Sequence, residues 1–165
     1  MTTLEWVFLS TYFAVLVVLS VYGSHRYVMA YLYYKYKGNL PTPKGRFETL
    51  PRVTVQLPIF NEMYVCERLI EAVCKIDYPR DRFEVQVLDD STDETQGIAR
   101  AAVERARAQG LDITYLHRDN RQGFKAGALQ AGLKVSKGEF VAVFDADIVP
   151  TPDFLLRSVQ YFIAE

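Results

Sequence analysis

The amino-acid sequence predicts an α/β fold, a mostly parallel sheet with helices on both faces, preceded by one transmembrane helix. From residue 53 onward, short apolar runs alternate with segments of helical periodicity, which is typical of a parallel sheet. An apolar run near the N-terminus is about 20 residues long, enough to cross a bilayer. Residues 141–144 are apolar and are predicted to form a buried strand that ends at Asp145 and Asp147. In open α/β sheets, ligands bind at the carboxyl ends of the strands.

The composition fits one domain of ordinary size with an added segment. The chain has 165 residues, half of them hydrophobic, and a formal net charge of −1. This charge gives no electrostatic case for nucleic-acid binding. The two cysteines, Cys66 and Cys74, fall within one predicted helix and lack the short spacing of a zinc or redox pair. We interpret them as core thiols in a reducing compartment.

The N-terminal apolar run favours an uncleaved membrane anchor. Between Leu4 and Tyr22 only Glu5 is charged. A secretory signal peptide is the alternative, but it requires a basic residue before the run and small residues after it. The basic residues follow the run instead, so the positive-inside rule predicts an integral membrane protein with its N-terminus outside and the following domain in the cytoplasm. These residues are Arg26, Lys35, Lys37, Lys44 and Arg46.

The sequence divides into three segments. Residues 1–37 are predicted to form the transmembrane helix and a juxtamembrane extension, residues 38–51 a linker rich in proline and glycine, and residues 52–165 the domain. The predicted strands cover residues 53–57, 83–88, 113–116 and 139–144. Right-handed crossovers bring the loops after the first, second and fourth strands to one edge of the sheet.

Four helices are predicted between and after these strands. Asn61 caps a helix over residues 62–75, and the capping-box spacing of residues 91–94 begins a helix that ends before Gly110. A helix rich in small residues covers residues 123–135. Thr151, followed by Pro152 at the first helical position, begins a helix that runs to residue 165.

The loops after the first two strands carry candidate nucleotide-binding residues. The ring of Phe60 has a flat face on which a nucleobase can stack, and the charge of Glu62 suits the start of a helix. The alternatives are a core aromatic residue and a simple helix-start acid. Asp89 and Asp90 exceed what capping requires, and one of them can accept a hydrogen bond from a base imide or a ribose hydroxyl.

A basic segment that contains glycine, residues 118–127, precedes the third predicted helix. Arg121 and Lys125 add positive charge to free backbone N–H groups, an arrangement that suits a phosphate. The segment is not a Walker loop, because the Gly-Lys-Ser/Thr ending is missing. A solvated basic loop is the alternative.

Asp145 and Asp147 are predicted to bind a metal ion. Buried carboxylates are costly unless they are paired, and Mg²⁺ or Mn²⁺ can pair them while keeping water and substrate phosphates as further ligands. The alternative is a solvated acidic turn. Together with the preceding loops, the two residues predict a site for a nucleobase, a diphosphate and a metal that offsets charge on a leaving diphosphate.

Four blocks of sequence occur in the order and at the spacing of a known family. They are residues 57–62, 87–93, 120–129 and 144–150. The blocks resemble inverting family 2 glycosyltransferases, in particular cellulose synthases and the cellulose synthase-like enzymes that make mannan and glucan backbones. The resemblance covers residues 53–165 and implies a GT-A fold, incomplete here. By motif position it implies that Phe60, Asp89 and Asp90 contact the nucleobase. It implies nucleotide contacts for Glu62 and Lys125, and metal binding by Asp145 and Asp147.

The resemblance implies a membrane-bound hexosyltransferase. We expect transfer from UDP-glucose or GDP-mannose, with inversion, to a growing β-linked polysaccharide. Transfer to a lipid acceptor and a catalytically inactive protein that binds nucleotide sugars are the alternatives. A sugar nucleotidyltransferase is disfavoured, because residues 58–62 lack a basic, glycine-rich signature.

The sequence departs from the family after the metal motif. Family members carry a later acidic residue that deprotonates the acceptor, and processive members carry a Gln-x-x-Arg-Trp motif. Neither follows here, and the only tryptophan is Trp6. We therefore expect an N-terminal part of a larger enzyme, inactive alone, whose general base lies beyond residue 165.

Overall fold

The structure is a computed structural model that describes residues 2–39 and 41–163. The chain divides into two compact units, one up to Thr42 and one from Pro43 onward. The second unit therefore begins inside the predicted linker. Phe47 donates its backbone N–H to the Gln160 side chain, and Tyr78 donates its hydroxyl to the carbonyl of Pro51, so much of residues 43–51 packs on the domain.

The first unit is one helix, α1, Thr3–Tyr36. A capping box begins it: the Thr2 hydroxyl accepts from the Glu5 N–H, and the Glu5 carboxylate accepts from the Thr2 N–H. At 1.5 Å per residue the helix is about 51 Å long, which exceeds the thickness of a bilayer core. Within the described chain, α1 is the one helix long and apolar enough to cross a membrane. It continues through residues 28–36, where Lys35 lies over the rings of Tyr31 and Tyr36.

The second unit is built on four parallel strands, as predicted. They are β1 Val53–Ile59, β2 Phe83–Asp89, β3 Asp112–His117 and β4 Phe140–Val143. Their order in the sheet is β3-β2-β1-β4. Ile59 pairs with Asp89, and Asp89 pairs with His117, so the strand ends lie side by side at one edge. We call this edge the carboxyl edge.

Helices cover both faces of the sheet. They are α2 Cys66–Cys74, α3 Thr95–Ala108, α4 Phe124–Leu133 and α5 Phe154–Ser158, with short 3₁₀ segments Arg80–Arg82 and Val159–Phe162. Helices α2 and α3 pack together on one face, where alternate residues of β1 and β2 form the main core. Cys66 is buried in this core, Cys74 is half-buried, and both are free thiols.

The opposite face of the sheet is buried but polar, which the sequence analysis did not predict. Thr54, Gln56, Glu84 and Gln86 all lie under 5% exposed. The Thr54 hydroxyl donates to Glu84 at 2.6 Å, and the Gln56 amide donates to Gln86 at 2.9 Å. Because each buried polar group has a partner, α4 can pack on this face without a large desolvation cost.

The predicted helix starts are wrong in three places. Asn61 has a φ of +53°, and its side chain accepts from the N–H of Thr92, so α2 begins only at Cys66. Ser91 accepts from the N–H of Asn61, and no capping box forms at the start of α3. Thr151 donates to Asp153, and α5 ends at Ser158. In each case a short polar side chain bonds a neighbouring loop or side chain in place of a helix terminus.

The fourth strand is shorter and more open than the buried strand that was predicted. In the part of the chain that the structure describes it pairs with β1 alone, and its side chains alternate between half-buried and exposed. Val141 and Val143 are 38% and 42% exposed. An edge strand with one open side explains this, because a run of apolar residues does not reveal how many neighbours the strand has.

Candidate active site

A cleft of about 430 Å³ lies at the carboxyl edge. Residues from the loops after β1, β2 and β4, and from the start of α4, form its walls. Its lining includes the aromatic ring of Phe60 and six charged side chains: Glu62, Asp90, Arg121, Lys125, Asp145 and Asp147. Seven of the eight predicted site residues thus line one cleft, and Asp89 does not.

The loop after β1 presents Phe60 at the cleft because the backbone turns sharply at the next residue. Asn61 adopts a left-handed conformation, with φ of +53°. Its N–H donates to the Ser91 hydroxyl at 2.8 Å, and its side-chain oxygen accepts from the Thr92 N–H at 2.9 Å. These two bonds join the loops after β1 and β2 and hold Phe60 and Asp90 on a common wall.

Asp90 is held from behind by Arg118. The guanidinium donates from Nε to Asp90 Oδ1 at 2.7 Å and from Nη2 to Oδ2 at 2.5 Å, a bidentate pair. The Asp90 side chain is only 4% exposed and that of Arg118 is 18% exposed. The hydrogen bond to Asp90 raises the pKa of Arg118 above its usual value, so the guanidinium stays charged. Asp90 therefore offers the cleft a carboxylate whose orientation is fixed.

Asp89 lies away from the cleft, with no exposed surface. Its carboxylate accepts from the Ser91 N–H at 2.8 Å and from the Tyr115 hydroxyl at 2.5 Å. His117 Nδ1 lies 3.8 Å from the same carboxylate and has no hydrogen-bond partner among the described residues. The prediction that Asp89 also contacts the nucleobase is therefore not supported, because consecutive strand residues point to opposite faces. Through its bond to the Ser91 N–H, Asp89 instead stabilises the turn that follows β2.

The basic segment, residues 118–127, folds tightly around the same arginine. Arg118 donates from Nη1 to the carbonyl of Gln122 at 3.2 Å and from Nη2 to that of Phe124 at 3.1 Å. At Gly127, a Cβ would lie 2.1 Å from the Gln122 oxygen and 2.9 Å from Arg118 Nη1. The segment therefore requires glycine at this position, and its curvature sets where Arg121 and Lys125 meet the cleft.

Arg121 stacks on the aromatic ring that was predicted to hold a nucleobase. Its guanidinium carbon lies 3.3 Å from the centroid of Phe60 and 5.2 Å from that of Phe124. Cation–π contacts of this kind are worth about 0.5–1 kcal/mol at exposed sites. The predicted base-stacking residue and the predicted phosphate-binding residue are thus in contact with each other.

The residues present fit a divalent cation of the Mg²⁺ or Mn²⁺ type. Asp145 and Asp147 follow β4 and face the cleft, and Lys125 forms an ion pair with Asp145. Since Arg118 neutralises Asp90, the lining leaves three carboxylates against two cationic side chains. Within the described part of the chain, no cluster of three or more Asp, Glu, His or Cys forms a closed metal cage. Two carboxylates in an open cleft suit a cation that keeps water and phosphate ligands.

A family comparison agrees with this geometry. The profile of the family described as "Glycosyl transferase family 2" matches residues 54–165. The chain belongs to glycosyltransferase family 2. The resemblance inferred from the four sequence blocks is confirmed, and so is the GT-A character of the domain.

Plant relatives share close to half of their aligned residues with this family 2 chain. "Glucomannan 4-beta-mannosyltransferase 7" of Arabidopsis thaliana is 47% identical over 117 residues, 68% of this chain and 21% of the relative. "Glucomannan 4-beta-mannosyltransferase 1" of Oryza sativa subsp. japonica is 48% identical over 125 residues, 73% of this chain and 24% of the relative. The chain therefore spans under a quarter of the length of these relatives.

Two solved glycosyltransferase structures resemble the fold. The "Mannosyltransferase PcManGT from Pyrobaculum calidifontis in complex with GDP-Man and Mn2+" has a TM-score of 0.70 and 32% identity, covering 88% of this chain and 43% of that chain. A structure of S. aureus TarS 1-349 in complex with UDP-GlcNAc has a TM-score of 0.53 and 28% identity, covering 66% and 30%.

Sequence reasoning missed two residues that shape the site. Arg118 was treated as part of a basic segment, and Tyr115 as a strand residue. Both bond aspartates at the end of the neighbouring strand β2. The sequence did contain a clue, because polar residues at the end of one parallel strand lie next to the last residues of the adjacent strand. The strand order needed to use that clue cannot be read from periodicity.

Proposed function

We propose that this chain is the donor-binding part of a membrane-anchored mannosyltransferase that extends a β-linked polysaccharide. The observation that carries the proposal is the cleft, which gathers an aromatic ring, a fixed carboxylate, two cationic side chains and a pair of exposed carboxylates at the carboxyl edge. Each group matches one part of a nucleoside diphosphate sugar bound with a metal.

GDP-mannose is the donor that the comparisons favour over UDP-glucose. The plant relatives are named glucomannan 4-beta-mannosyltransferases, and the structure of PcManGT holds GDP-Man with Mn²⁺. A guanine base presents N–H donors on one edge, and the carboxylate of Asp90 can accept from them. The ring of Phe60 supports the face of the base.

The phosphates of the donor lie, in this proposal, between the start of α4 and the loop after β4. Lys125 and Arg121 supply the charge that attracts them. Lys125 now pairs with Asp145, so it exchanges one anionic partner for another when the donor enters. Glu62 follows Phe60 closely in the loop after β1 and would contact the nucleotide from that loop.

Asp145 and Asp147 would hold Mg²⁺ or Mn²⁺ together with the diphosphate. When bound, the cation supplies Lewis-acid stabilisation of the charge that develops on the leaving group. The protein's part is to hold the donor with its diphosphate at this wall. The acceptor hydroxyl then attacks the anomeric carbon from the opposite side, which inverts its configuration. We assign no described residue as the general base.

Membrane attachment through α1 completes the proposal. The helix is long and apolar enough to cross a bilayer, and its basic residues follow the apolar segment. The positive-inside rule then puts the domain in the cytoplasm, where nucleotide sugars are available, and the N-terminus outside. The acceptor is a growing polysaccharide, and a lipid acceptor is the alternative outcome of the test below.

The test uses the full-length protein in membranes. GDP release from GDP-mannose and UDP release from UDP-glucose are measured with Mg²⁺, with Mn²⁺ and with EDTA. The proposal expects metal-dependent GDP release that Asp147→Ala abolishes, with mannose recovered in a polymer. Recovery of the sugar in a lipid fraction would replace the acceptor, and preferred UDP release would replace the donor. Donor binding without release from either sugar would support the inactive binding protein instead.

A further inference from the structure

We propose that Arg118 is a positioning residue that couples the nucleobase side of the donor site to its phosphate side. The inference rests on the proposed function. Arg118 does not line the cleft, yet it bonds Asp90, which does, and the carbonyl of Phe124, directly before the lining residue Lys125. It is therefore placed to act through other residues and without touching the donor.

On the base side, Arg118 fixes the orientation of Asp90. Two donors of its guanidinium engage both carboxylate oxygens, so the carboxyl plane cannot rotate without breaking a bond. Asp90 is almost fully buried, and loss of this partner would leave a buried charge unpaired. Asp90 also lines the cleft, so its carboxylate is held there in one orientation.

On the phosphate side, the same guanidinium fixes the backbone of the basic segment. It donates to the carbonyl oxygens of Gln122 and Phe124, on either side of Gly123. Phe124 has a φ of +50°, a conformation that a side-chain-bearing residue adopts only when its surroundings hold it there. The next residue is Lys125, so the position of its ammonium group depends on this turn.

The close packing at Gly127 shows that the space around Arg118 is shaped for a guanidinium. A Cβ at that position would lie 2.9 Å from Nη1. Lysine cannot replace this arrangement, because one ammonium group cannot reach a bidentate carboxylate and two carbonyls together. One planar side chain therefore connects Asp90 with the start of α4.

The consequence is a specific pattern of binding defects. Asp90→Asn should weaken a ligand that contains only the base, and Lys125→Gln should weaken a ligand that contains only the phosphates. Arg118→Gln should weaken both, although Arg118 contacts neither. Arg118→Lys can still pair with Asp90 but loses the carbonyl contacts, so it should affect the phosphate ligand more than the base ligand.

The experiment measures binding of guanosine, of pyrophosphate with Mg²⁺, and of GDP with Mg²⁺ to the purified full-length protein. We expect Arg118→Gln to weaken guanosine and pyrophosphate each by about 2- to 30-fold, the range for substitutions that act without touching a ligand. Arg107→Gln is the matched control, because Arg107 also bonds one carboxylate and one backbone carbonyl, those of Glu104 and Ile113, away from the cleft.

The outcomes separate the two levels of the proposal. Weakening of both partial ligands by Arg118→Gln, with Arg107→Gln unchanged, supports the coupling role. Weakening of one ligand only, of neither, or equal weakening by Arg107→Gln overturns it, while GDP binding by the unaltered protein leaves the proposed function intact. If the unaltered protein binds no nucleoside diphosphate, the proposed function fails and this inference fails with it. If Arg118→Gln does not fold, Arg118→Lys replaces it. Weaker binding of pyrophosphate than of guanosine, relative to the unaltered protein, then supports the coupling role, and unchanged binding of both overturns it.

Discussion

The guanidinium carbon of Arg121 lies 3.3 Å from the centroid of the Phe60 ring, so a cation already covers the surface on which a nucleobase would stack. A base that stacks on this face of Phe60 would have to displace the guanidinium. Arg121 lines the cleft together with Lys125, so the displaced guanidinium would stay near the phosphates of the proposed donor. Stacking of the base and release of Arg121 are therefore one event, and this relationship has a measurable consequence.

Replacement of Arg121 should affect the base and the phosphates in opposite directions. In Arg121→Met the Phe60 face is no longer covered by a cation–π contact of about 0.5–1 kcal/mol, so we expect guanosine to bind roughly two- to fivefold more tightly. GDP should bind more weakly, because a positive charge near its phosphates is lost. Titration calorimetry with both ligands checks the two signs.

Phe60→Ala provides the control for this interpretation. It removes the stacking surface itself, which should weaken guanosine and GDP alike by about 1–3 kcal/mol. Weaker guanosine binding in Arg121→Met would contradict the displacement described above. It would show that Arg121 closes over the base instead of leaving it.

Removal of one carboxylate at the end of β4 should abolish turnover without unfolding the protein. Asp145→Asn loses an exposed ion pair with Lys125, and exposed pairs contribute only about 0–1 kcal/mol to stability. Metal stabilisation of a leaving group is worth several kcal/mol, so nucleoside diphosphate release should fall by about 100-fold or more. Release assays over a range of Mn²⁺ concentrations, with thermal unfolding in parallel, test both parts.

Asp153→Asn is the matched control for that substitution. Asp153 is exposed, lies eight residues further along the chain and pairs with Arg157, but it does not line the cleft. Its pKa is lowered by the hydrogen bond from Thr151, so the small stabilisation it gives is present above its unfolded pKa and is lost on acidification. Turnover in Asp153→Asn should equal that of the unaltered protein at neutral pH. An equal loss of turnover in both variants would argue against a metal role for Asp145.

The sequence was a good guide to which residues meet, since parallel strands collect their following loops at one edge. Phe60, Asp90 and Asp147 were placed at one edge on that basis, Lys125 was added from the charge of the basic segment and the family resemblance, and the structure brings all four to one cleft. The contacts among them were not foreseeable in the same way. Arg121 on Phe60 and Lys125 on Asp145 depend on the exact path of residues 118–127, which is fixed by Arg118 and Gly127.

Helix starts and the polar face of the sheet were harder to predict for a different reason. Asn61 and Ser91 have the side chains of helix caps, yet they bond to each other's loop because β1 and β2 are neighbours. Glu84 and Gln86 alternate with apolar residues, a pattern that normally indicates a solvated face. Helix α4 covers that face instead, and a local pattern contains no information about such a distant partner.

Tyr115 should stabilise the protein through its bond to Asp89. The aspartate is fully buried, so Tyr115→Phe leaves it with one partner fewer and should cost about 1–3 kcal/mol at neutral pH. Burial, followed by the hydrogen bond to Asp89, raises the pKa of Tyr115 to about 12 from 10. A raised pKa means that this stabilisation is complete below pH 10 and is lost as the pH rises toward 12.

Thermal unfolding between neutral pH and pH 12 checks this prediction. The unaltered protein should lose stability above pH 10, and Tyr115→Phe should show a shallower loss over the same interval. Tyr78→Phe is the comparison, because burial also raises the pKa of Tyr78 to about 12, but its hydroxyl donates to the carbonyl of Pro51, far from Asp89. A Tyr115→Phe variant as stable as the unaltered protein at neutral pH would contradict the role given to the bond.

Two glycine-to-alanine substitutions should change stability in opposite directions. A Cβ at Gly132 of α4 would lie 2.5 Å from the Gln56 amide nitrogen and 2.8 Å from the Gln86 oxygen, both buried. Gly132→Ala must therefore push α4 off the sheet or break that amide pair, at a cost of about 1–3 kcal/mol. Gly97 in α3 has open space around it, so Gly97→Ala should add about 0.5–1 kcal/mol through lower backbone entropy in the unfolded chain.

The glycine pair also tests whether the polar face supports the cleft. Helix α4 begins at Phe124, directly before Lys125, so a shift of α4 moves the lysine relative to Asp145. We expect Gly132→Ala to raise the KM for GDP-mannose as well as to lower the melting temperature, while Gly97→Ala leaves the KM unchanged. A Gly132→Ala variant with reduced stability but an unaltered KM would show that α4 can move without disturbing the phosphate side. The buried amides would then be a packing feature alone.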